Sequence, residues 1–228
     1  MILSDVMEDY LKVIYQLQRD REDRIRTSEI ADQLEVTSPT VTSMVEKLED
    51  RGLLDREKYR GVTLTAEGET VALEVVRHHR LLEAYLTEHL DYDWSEVHEE
   101  ADRLEHHISE NFEERVAAVL DDPEVDPHGS PIPSADLEAP ERPAGTSMLE
   151  FEAGDVVVVE EVADRDPEVL SYLSDHGIEP GVKLEIDEIA PFGMVTARPL
   201  YVNAEKSISL PEAVARDIRV AAVVEAAR

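Results

Sequence analysis

The sequence predicts a mainly α-helical protein with a smaller β-rich part at its C-terminal end. Apolar residues recur with helical spacing through much of the first 120 residues. Six of the twelve prolines then crowd into residues 121–146, and short runs rich in β-branched residues follow from Met148 onward. These observations predict a helical N-terminal part, an extended Pro-rich linker and a small barrel of about 80 residues.

The first predicted element is an amphipathic helix from Asp5 to about Asp20. Two short helices follow, one opening at Thr27 and one at Ser38, with a three-residue turn between them. The second ends before Gly52, a residue type that commonly follows a helix. So tight a turn is typical of a helix-turn-helix, although an ordinary helical hairpin has the same spacing.

A short hairpin with a basic tip is predicted directly after these helices. Lys58, Tyr59 and Arg60 form its tip, and their presence favours a winged helix-turn-helix that binds DNA. The start of the second short helix attracts phosphate through its unpaired backbone N–H groups. The candidate contacts to DNA are Thr37, Ser38, Pro39, Thr40, Thr42 and Ser43 at that helix start, with Lys47, Lys58 and Arg60 on phosphates.

Three further helices are predicted over residues 66–90, 95–108 and 110–120, and the first two carry metal-ligand residue types in register. These residues are His79 and Glu83 on one helix, and His98, Asp102, Glu105 and His106 on the next. A solvated acidic face would explain the carboxylates but not the histidines that join them. Because the chain has no cysteine, any metal must be held by nitrogen and oxygen ligands.

The net charge of −31 is unusual for a protein that binds DNA. The charge is −6 over residues 1–70, −15 over 71–140 and −10 over 141–228, so the segment with the helix-turn-helix is the least acidic. Acid excess throughout is typical of a cytosol of molar salt, as in an extreme halophile, where screening is short-ranged. An acidic partner surface is the alternative interpretation.

The sequence gives little support to an enzyme. It contains no Ser or His nucleophile motif and no Gly-rich phosphate loop, so neither an active site nor a small-molecule substrate is expected. No apolar run of roughly 18 residues and no signal peptide is present, and we expect a cytoplasmic protein without membrane contact.

Several segments, in order, resemble the DtxR/MntR family of metal-dependent repressors: MEDYLKVIYQL, TSPTVTSMVEKLEDRGL, EKYRG, HHRLLE, HEEADRLEHHIS and DPHGSPIP. The resemblance implies a homodimer that binds operator DNA. It also implies a winged helix-turn-helix domain over residues 1–64, a helical dimerisation and metal-binding domain over 65–122, a Pro-rich linker over 123–146, and an SH3-like (FeoA-like) barrel over 147–228.

The resemblance further implies two metal sites. The first would use His79, Glu83 and His98 with barrel residues from the stretch 164–168, of which Glu168 is the first choice and Asp166 the second. The other would use Asp9, Asp102, Glu105 and His106. Without metal, the three carboxylates of that second set would repel each other and hold the first helix loosely, so metal binding is expected to fix it.

The sequence departs from both branches of the family. The iron-sensing members carry Met and Cys where Asp9 and Asp102 stand, and the shorter manganese sensors carry a Glu where Lys12 stands. The hard nitrogen and oxygen ligand set favours Mn(II) as corepressor. An Fe(II)-responsive regulator and a metal-binding adaptor or buffer that does not act on DNA are the alternatives. His78, His107 and His128 are expected to be surface residues without a role.

Overall fold

The computed structural model describes residues 3–19, 21, 23–141, 145–164, 166–191, 193–200 and 207–223. Asp20 and Arg165, which the sequence analysis included in the first helix and in the stretch 164–168, lie outside these ranges. The described chain forms two compact units. The first contains residues 1–79, 103–113 and 133–140, and the second contains residues 80–102, 114–132 and 141–228.

The N-terminal part of the first unit is a winged helix-turn-helix. Its elements are α1 (Asp5–Arg19), α2 (Thr27–Gln33), α3 (Ser38–Asp50), β1 (Leu54–Glu57) and β2 (Gly61–Leu64). The strands pair antiparallel, with Leu54 opposite Leu64. Leu11, Ile14 and Leu48 are fully buried in the core that these elements share. The predicted helices and hairpin are confirmed, because apolar spacing and turn residues agree here.

Two glycines position the wing, the hairpin of β1 and β2, after the end of α3. Gly52 adopts a positive φ of 76° just past the helix, a conformation that glycine tolerates best. The chain then passes so close to the next helix that a Cβ on Gly68 would lie 2.0 Å from the carbonyl oxygen of Leu53. Glycine at position 68 therefore allows the wing hairpin to pack against the start of that helix.

The middle of the chain is helical, as predicted, but one helix is shorter than expected. The three observed helices are α4 (Ala66–Leu90), α5 (Val97–Leu104) and α6 (Glu110–Val119). The sequence predicts that α5 extends to residue 108, whereas residues 105–107 form a turn, closed by a hydrogen bond from the His107 N–H to the Leu104 carbonyl. Glu105 and His106 therefore lie on this turn and not on a helix face.

The second unit contains a six-stranded antiparallel sheet. Its strands are β3 (Thr146–Ser147), β4 (Val156–Val162), β5 (Lys183–Ile189), β6 (Val195–Pro199), β7 (Ile208–Leu210) and β8 (Ile218–Ala222), in the order β3-β8-β4-β5-β6-β7. Two short helices, α7 (Pro167–Asp175) and α8 (Glu212–Arg216), complete it. Leu170, Leu173 and Ile186 are fully buried among the apolar residues of the strands. The mainly α fold with a small β part is confirmed.

Part of the Pro-rich segment packs tightly, although its composition predicts an extended linker. A Cβ on Gly129 would lie 1.9 Å from the carbonyl oxygen of Glu160 on β4. The Ser130 hydroxyl donates a hydrogen bond of 2.6 Å to Glu161, and the Val162 N–H donates one of 2.9 Å to the His128 carbonyl. Residues 128–130 are therefore fixed along β4.

Candidate functional site

In the first unit, a buried lysine lies between a histidine and a glutamate. Lys12 of α1 donates a hydrogen bond of 2.7 Å to Glu105 Oε2, and its Nζ lies 3.1 Å from His79 Nδ1. His79 Nδ1 is itself 2.6 Å from the same carboxylate oxygen. Lys12 is 7% exposed, His79 is 3% exposed and Glu105 is 1% exposed. In the sequence, Lys12 stands out only as a departure from the family, because its spacing does not reveal these contacts.

Next to this group, the ring of His106 lies between two carboxylates of α1. His106 Nε2 is 2.9 Å from Asp9 Oδ1, and Nδ1 is 2.8 Å from Glu8 Oε2. The hydrogen bond to Asp9 raises the pKa of His106 to about 9, with further contributions from Glu8 and from the charge of Glu105, while burial opposes the shift. The raised pKa of His106 favours the protonated ring at neutral pH.

Asp9, Glu105 and His106 form a set that fits a divalent cation. Their donor atoms lie within 4.8 Å of one another. Glu105 Oε1 is buried and has no hydrogen-bond partner among the described residues, and it lies 3.4 Å from His106 Nε2. A buried carboxylate oxygen without a partner is costly unless a cation compensates it. The predicted residues Asp9, Glu105 and His106 are thus brought together, while Glu8 contacts the other ring nitrogen of His106.

From the sequence alone, three mutually repelling carboxylates are expected at this position. Instead, the Lys12 ammonium donates to Glu105 there, and the raised pKa of His106 favours a second positive charge between Asp9 and Glu8, so that both charges compensate the carboxylates. Asp102, the remaining predicted member, has a side chain that is 47% exposed, and its Oδ2 lies 3.6 Å from His98 Nε2.

In the second unit, Glu83 and His98 meet an aspartate of the barrel. His98 Nδ1 lies 3.0 Å from Glu83 Oε1 and 3.5 Å from Asp164 Oδ2. Glu83 is fully buried on α4, one helical turn after His79. Neither Glu168 nor Asp166 is found in a ligand cluster of the described residues. Both are exposed, and the Asp166 carboxylate caps α7 through a hydrogen bond of 2.9 Å from the Glu168 N–H.

Glu83 also belongs to a second buried group, with Asp126 and His128 of the Pro-rich segment. The donor atoms of the three residues lie within 4.8 Å of one another. Asp126 Oδ2 and His128 Nδ1 are buried without a hydrogen-bond partner among the described residues. Burial raises the pKa of Asp126 to about 7, and the nearby Glu83 carboxylate adds to the shift. Three buried metal-ligand groups so close together also fit a bound cation.

The orientation of His128 suits it to bind a metal. Its Nε2 lies 2.9 Å from the Trp94 carbonyl oxygen, to which it donates a hydrogen bond. That contact assigns the proton of a neutral ring to Nε2 and directs the lone pair of Nδ1 toward Glu83, 3.7 Å away. Burial lowers the pKa of His128, but the interaction with Glu83 outweighs this effect and raises the pKa to about 9.

Two of the three histidines that were expected to be surface residues are buried, so that expectation was wrong for them. His128 is fully buried, and His78 is 7% exposed. His78 Nδ1 lies 3.1 Å from the Glu105 carbonyl oxygen and Nε2 lies 3.1 Å from Glu113. His107 is exposed, as expected. His128 could have been recognised as a candidate ligand from its position two residues after Asp126, a spacing that helical periodicity does not detect.

The predicted DNA-binding residues lie on the surface of the winged helix-turn-helix. Thr37 to Thr40, Ser43 and Lys47 are exposed. Thr42 is half-buried, and its hydroxyl donates a hydrogen bond to the Ser38 carbonyl. At the wing tip, Tyr59 is 93% exposed, with the Lys58 ammonium 5.2 Å from its ring centre. Arg60 forms an ion pair with Glu57 at 2.9 Å, which DNA phosphates would compete for.

Three family models match the chain. They describe an iron dependent repressor N-terminal DNA binding domain over residues 2–62, an iron dependent repressor metal binding and dimerisation domain over 65–134, and a FeoA domain over 146–222. No helix among the described residues is long and apolar enough to cross a membrane.

Similar proteins include repressors named for iron and for manganese. The iron-dependent repressor IdeR of Mycobacterium leprae is 35% identical, with 96% of this chain and 97% of that protein covered. The diphtheria toxin repressor of Corynebacterium diphtheriae is 33% identical, with 81% and 85% covered. A solved manganese-dependent transcriptional repressor in complex with manganese is 35% identical, has a TM-score of 0.88, and is covered over 95% of this chain and all of that one.

Proposed function

Since this chain belongs to the DtxR/MntR family of metal-dependent transcriptional repressors, which are not enzymes, we propose that Mn(II) is its corepressor. The observation that carries the proposal is the set of hard donors around Glu105 Oε1, a buried oxygen without a hydrogen-bond partner among the described residues. Asp9, Glu105 and His106 offer only oxygen and nitrogen, a set that suits Mn(II) better than ions that prefer sulfur. Fe(II) is the competing corepressor.

The first metal site, in this proposal, is the one that connects α1 to the turn after α5. A bound divalent cation would supply two positive charges among these carboxylates. Asp9 would bind it from α1, and Glu105 and His106 from the turn. His106 must release its proton to become a ligand, and Asp9 then exchanges a hydrogen bond for a metal bond. The recognition surface on α3 is thereby coupled to the ligands through the shared core of α1 and α3.

The second metal site, in this proposal, centres on Glu83. His98 and Asp164 face one of its carboxylate oxygens, and His128 with Asp126 faces the other. The family resemblance adds His79, one turn earlier on α4. Asp164 replaces Glu168 and Asp166 as the barrel ligand that we favour, because its carboxylate lies beside His98 and theirs do not.

The protein acts on operator DNA as a homodimer through its DNA-binding and dimerisation domains. We propose that the polar residues at the start of α3 read base edges and that the wing contacts phosphates. Thr40→Ala should therefore lower affinity for the operator more than for random DNA, whereas Lys58→Ala should weaken binding to both alike. Equal losses on both DNAs from Thr40→Ala would contradict this assignment.

A gel shift on the DNA upstream of the chain's own gene tests the corepressor proposal. Mn(II) should produce a specific shift at concentrations where the metal-free protein gives none, with Fe(II) measured anaerobically beside it. Asp9→Ala should abolish the metal response, and Asp32→Ala, which removes an exposed acid of α2, should leave it intact. A full response of Asp9→Ala to Mn(II), or a response to Fe(II) alone, would overturn the proposal.

A further inference from the structure

The tip of the wing carries two neighbouring cations, and a carboxylate compensates only one of them. A terminal nitrogen of the Arg60 guanidinium donates to both carboxylate oxygens of Glu57, at 2.9 and 3.0 Å. The Lys58 ammonium instead lies 5.2 Å from the centre of the Tyr59 ring. In the part of the chain that the structure describes, Lys58 forms no ion pair. Two cations that could contact DNA phosphates therefore start from different states.

The backbone of the turn keeps Glu57 and Arg60 close together. The Arg60 N–H donates a hydrogen bond of 3.0 Å to the Glu57 carbonyl. Gly61, the next residue, has a positive φ of 114°, and a Cβ there would lie 2.3 Å from the Ile25 carbonyl oxygen. Because this conformation requires glycine, the turn is well defined. The carboxylate of Glu57 therefore stays within reach of Arg60.

Glu57 has a second cationic neighbour, which is already paired. The Nε of Arg24 lies 3.4 Å from Glu57 Oε2, while its terminal nitrogens bind the carbonyl and the carboxylate of Asp55. Arg24, Arg60, Asp55 and Glu57 thus contribute two positive and two negative charges, which balance. If a DNA phosphate takes over Arg60, one negative charge remains on the protein, beside the DNA.

This change of partner affects the salt dependence of the contact. The side chain of Arg60 is 71% exposed and that of Glu57 is 43% exposed, and ion pairs so exposed to water are weak enough to be exchanged. A phosphate that binds a cationic side chain releases a counterion from the DNA. The Glu57 carboxylate, freed in the cation-rich layer around the DNA, would take up a counterion in its place. The Arg60 contact would then release almost no counterion in total.

We infer, building on the proposed contact between the wing and phosphates, that Glu57 is an exchange partner that makes the DNA contact of Arg60 nearly independent of salt. Lys58 has no such partner, so its contact should weaken with salt in the ordinary way. An ordinary phosphate contact contributes about −0.9 to the slope of the logarithm of the association constant against the logarithm of the salt concentration. The wing would thus retain one phosphate contact at salt concentrations that weaken the other.

The salt dependence of DNA binding by the full chain with Mn(II) tests this inference. Fluorescence anisotropy gives the association constant at several KCl concentrations, and the slopes are compared between variants. Glu57→Gln should steepen the slope by about 0.9 per subunit, because Arg60 then releases a counterion in full. Lys58→Ala should flatten it by a similar amount, whereas Arg60→Ala should weaken binding and leave the slope nearly unchanged. Glu188→Gln, which removes the same charge from an exposed position of β5, is the matched control and should leave the slope unchanged.

A steepening of less than about 0.4 per subunit in Glu57→Gln, under half of one ordinary contact, would overturn the inference. Equal steepening in Glu188→Gln, or a flattening in Arg60→Ala as large as that in Lys58→Ala, would overturn it too. An unchanged slope in Lys58→Ala would instead contradict the proposed wing contact. The slopes are measured on operator and random DNA, whereas the corepressor proposal is tested by the metal dependence of the operator complex, so the two can fail independently.

Discussion

At the proposed first metal site, the raised pKa of His106 would make metal binding compete with a proton. Its pKa of about 9 means that at pH 7 the ring is protonated roughly a hundred times more often than not. Displacing that proton costs about 3 kcal/mol at pH 7, since each pH unit below the pKa corresponds to about 1.4 kcal/mol. The apparent affinity for Mn(II) should therefore rise about tenfold per pH unit between pH 7 and 9 and level off above 9.

Titration calorimetry measures this dependence on the full chain carrying Glu83→Gln, a substitution that removes the carboxylate shared by both groups of the proposed second site. Two buffers with different ionisation enthalpies give the number of protons released, which should be close to one per Mn(II) at pH 7. Glu8→Gln should strengthen Mn(II) binding at pH 7 several-fold, because His106 Nδ1 loses the carboxylate that favours its protonated form. Glu67→Gln, an exposed acid of α4, is the matched control. An affinity that is independent of pH, with no proton released, would refute this account of the site.

Three further outcomes are expected. In the metal-free protein, the raised pKa of His106 stabilises the fold fully below about pH 6.5, and this contribution is lost as the pH rises through about 9. Glu8→Gln should therefore lower the melting temperature at pH 6 and have little effect at pH 10, and an equal loss at both would contradict this reasoning. Asp164→Asn should remove one Mn(II) per subunit in equilibrium dialysis, whereas Glu168→Gln should not, and the reverse result would restore the original choice. Gly129→Ala should destabilise the protein by more than about 2 kcal/mol in urea unfolding, since its Cβ overlaps a β4 carbonyl oxygen and φ is 86°; a change below about 0.5 kcal/mol would show that this close approach is not required.

The winged helix-turn-helix could be predicted almost residue by residue, and the reason is local. The apolar spacing of α1 and α3, Pro39 in the first turn of α3 and Gly52 past its end each determine structure within a few residues. The end of α5 could not be predicted in the same way. The candidate ligands in the sequence keep a helical spacing beyond residue 104, but the chain turns there. The contacts of Glu105 with Lys12 and His79 join residues that are far apart in the sequence.

Some of the candidate metal ligands could likewise be predicted from local sequence, whereas others depend on contacts between distant parts of the chain. His98 and Glu83 could be placed from helical periodicity, which aligns each with its neighbours on one helix. Asp164 and His128 lie in irregular segments, where no period applies and where the partner is far away in sequence. Composition was misleading for His128, because a Pro-rich stretch predicts exposure and the close packing of Gly129 on β4 causes burial.

The charge balance of the first site revises how the metal switch is expected to work. Repulsion among carboxylates cannot hold α1 loosely where Lys12 and protonated His106 already bind them. At the proposed first site, metal binding would instead exchange a proton for a divalent ion, and the Lys12 contact would persist on the other oxygen of Glu105. In this proposal the metal-dependent step would involve Asp9, His106 and Glu105 Oε1. Its free energy would be the binding free energy of the ion less the cost of removing the proton from His106. Because that cost falls with rising pH, repression at limiting Mn(II) should strengthen as the pH rises toward 9.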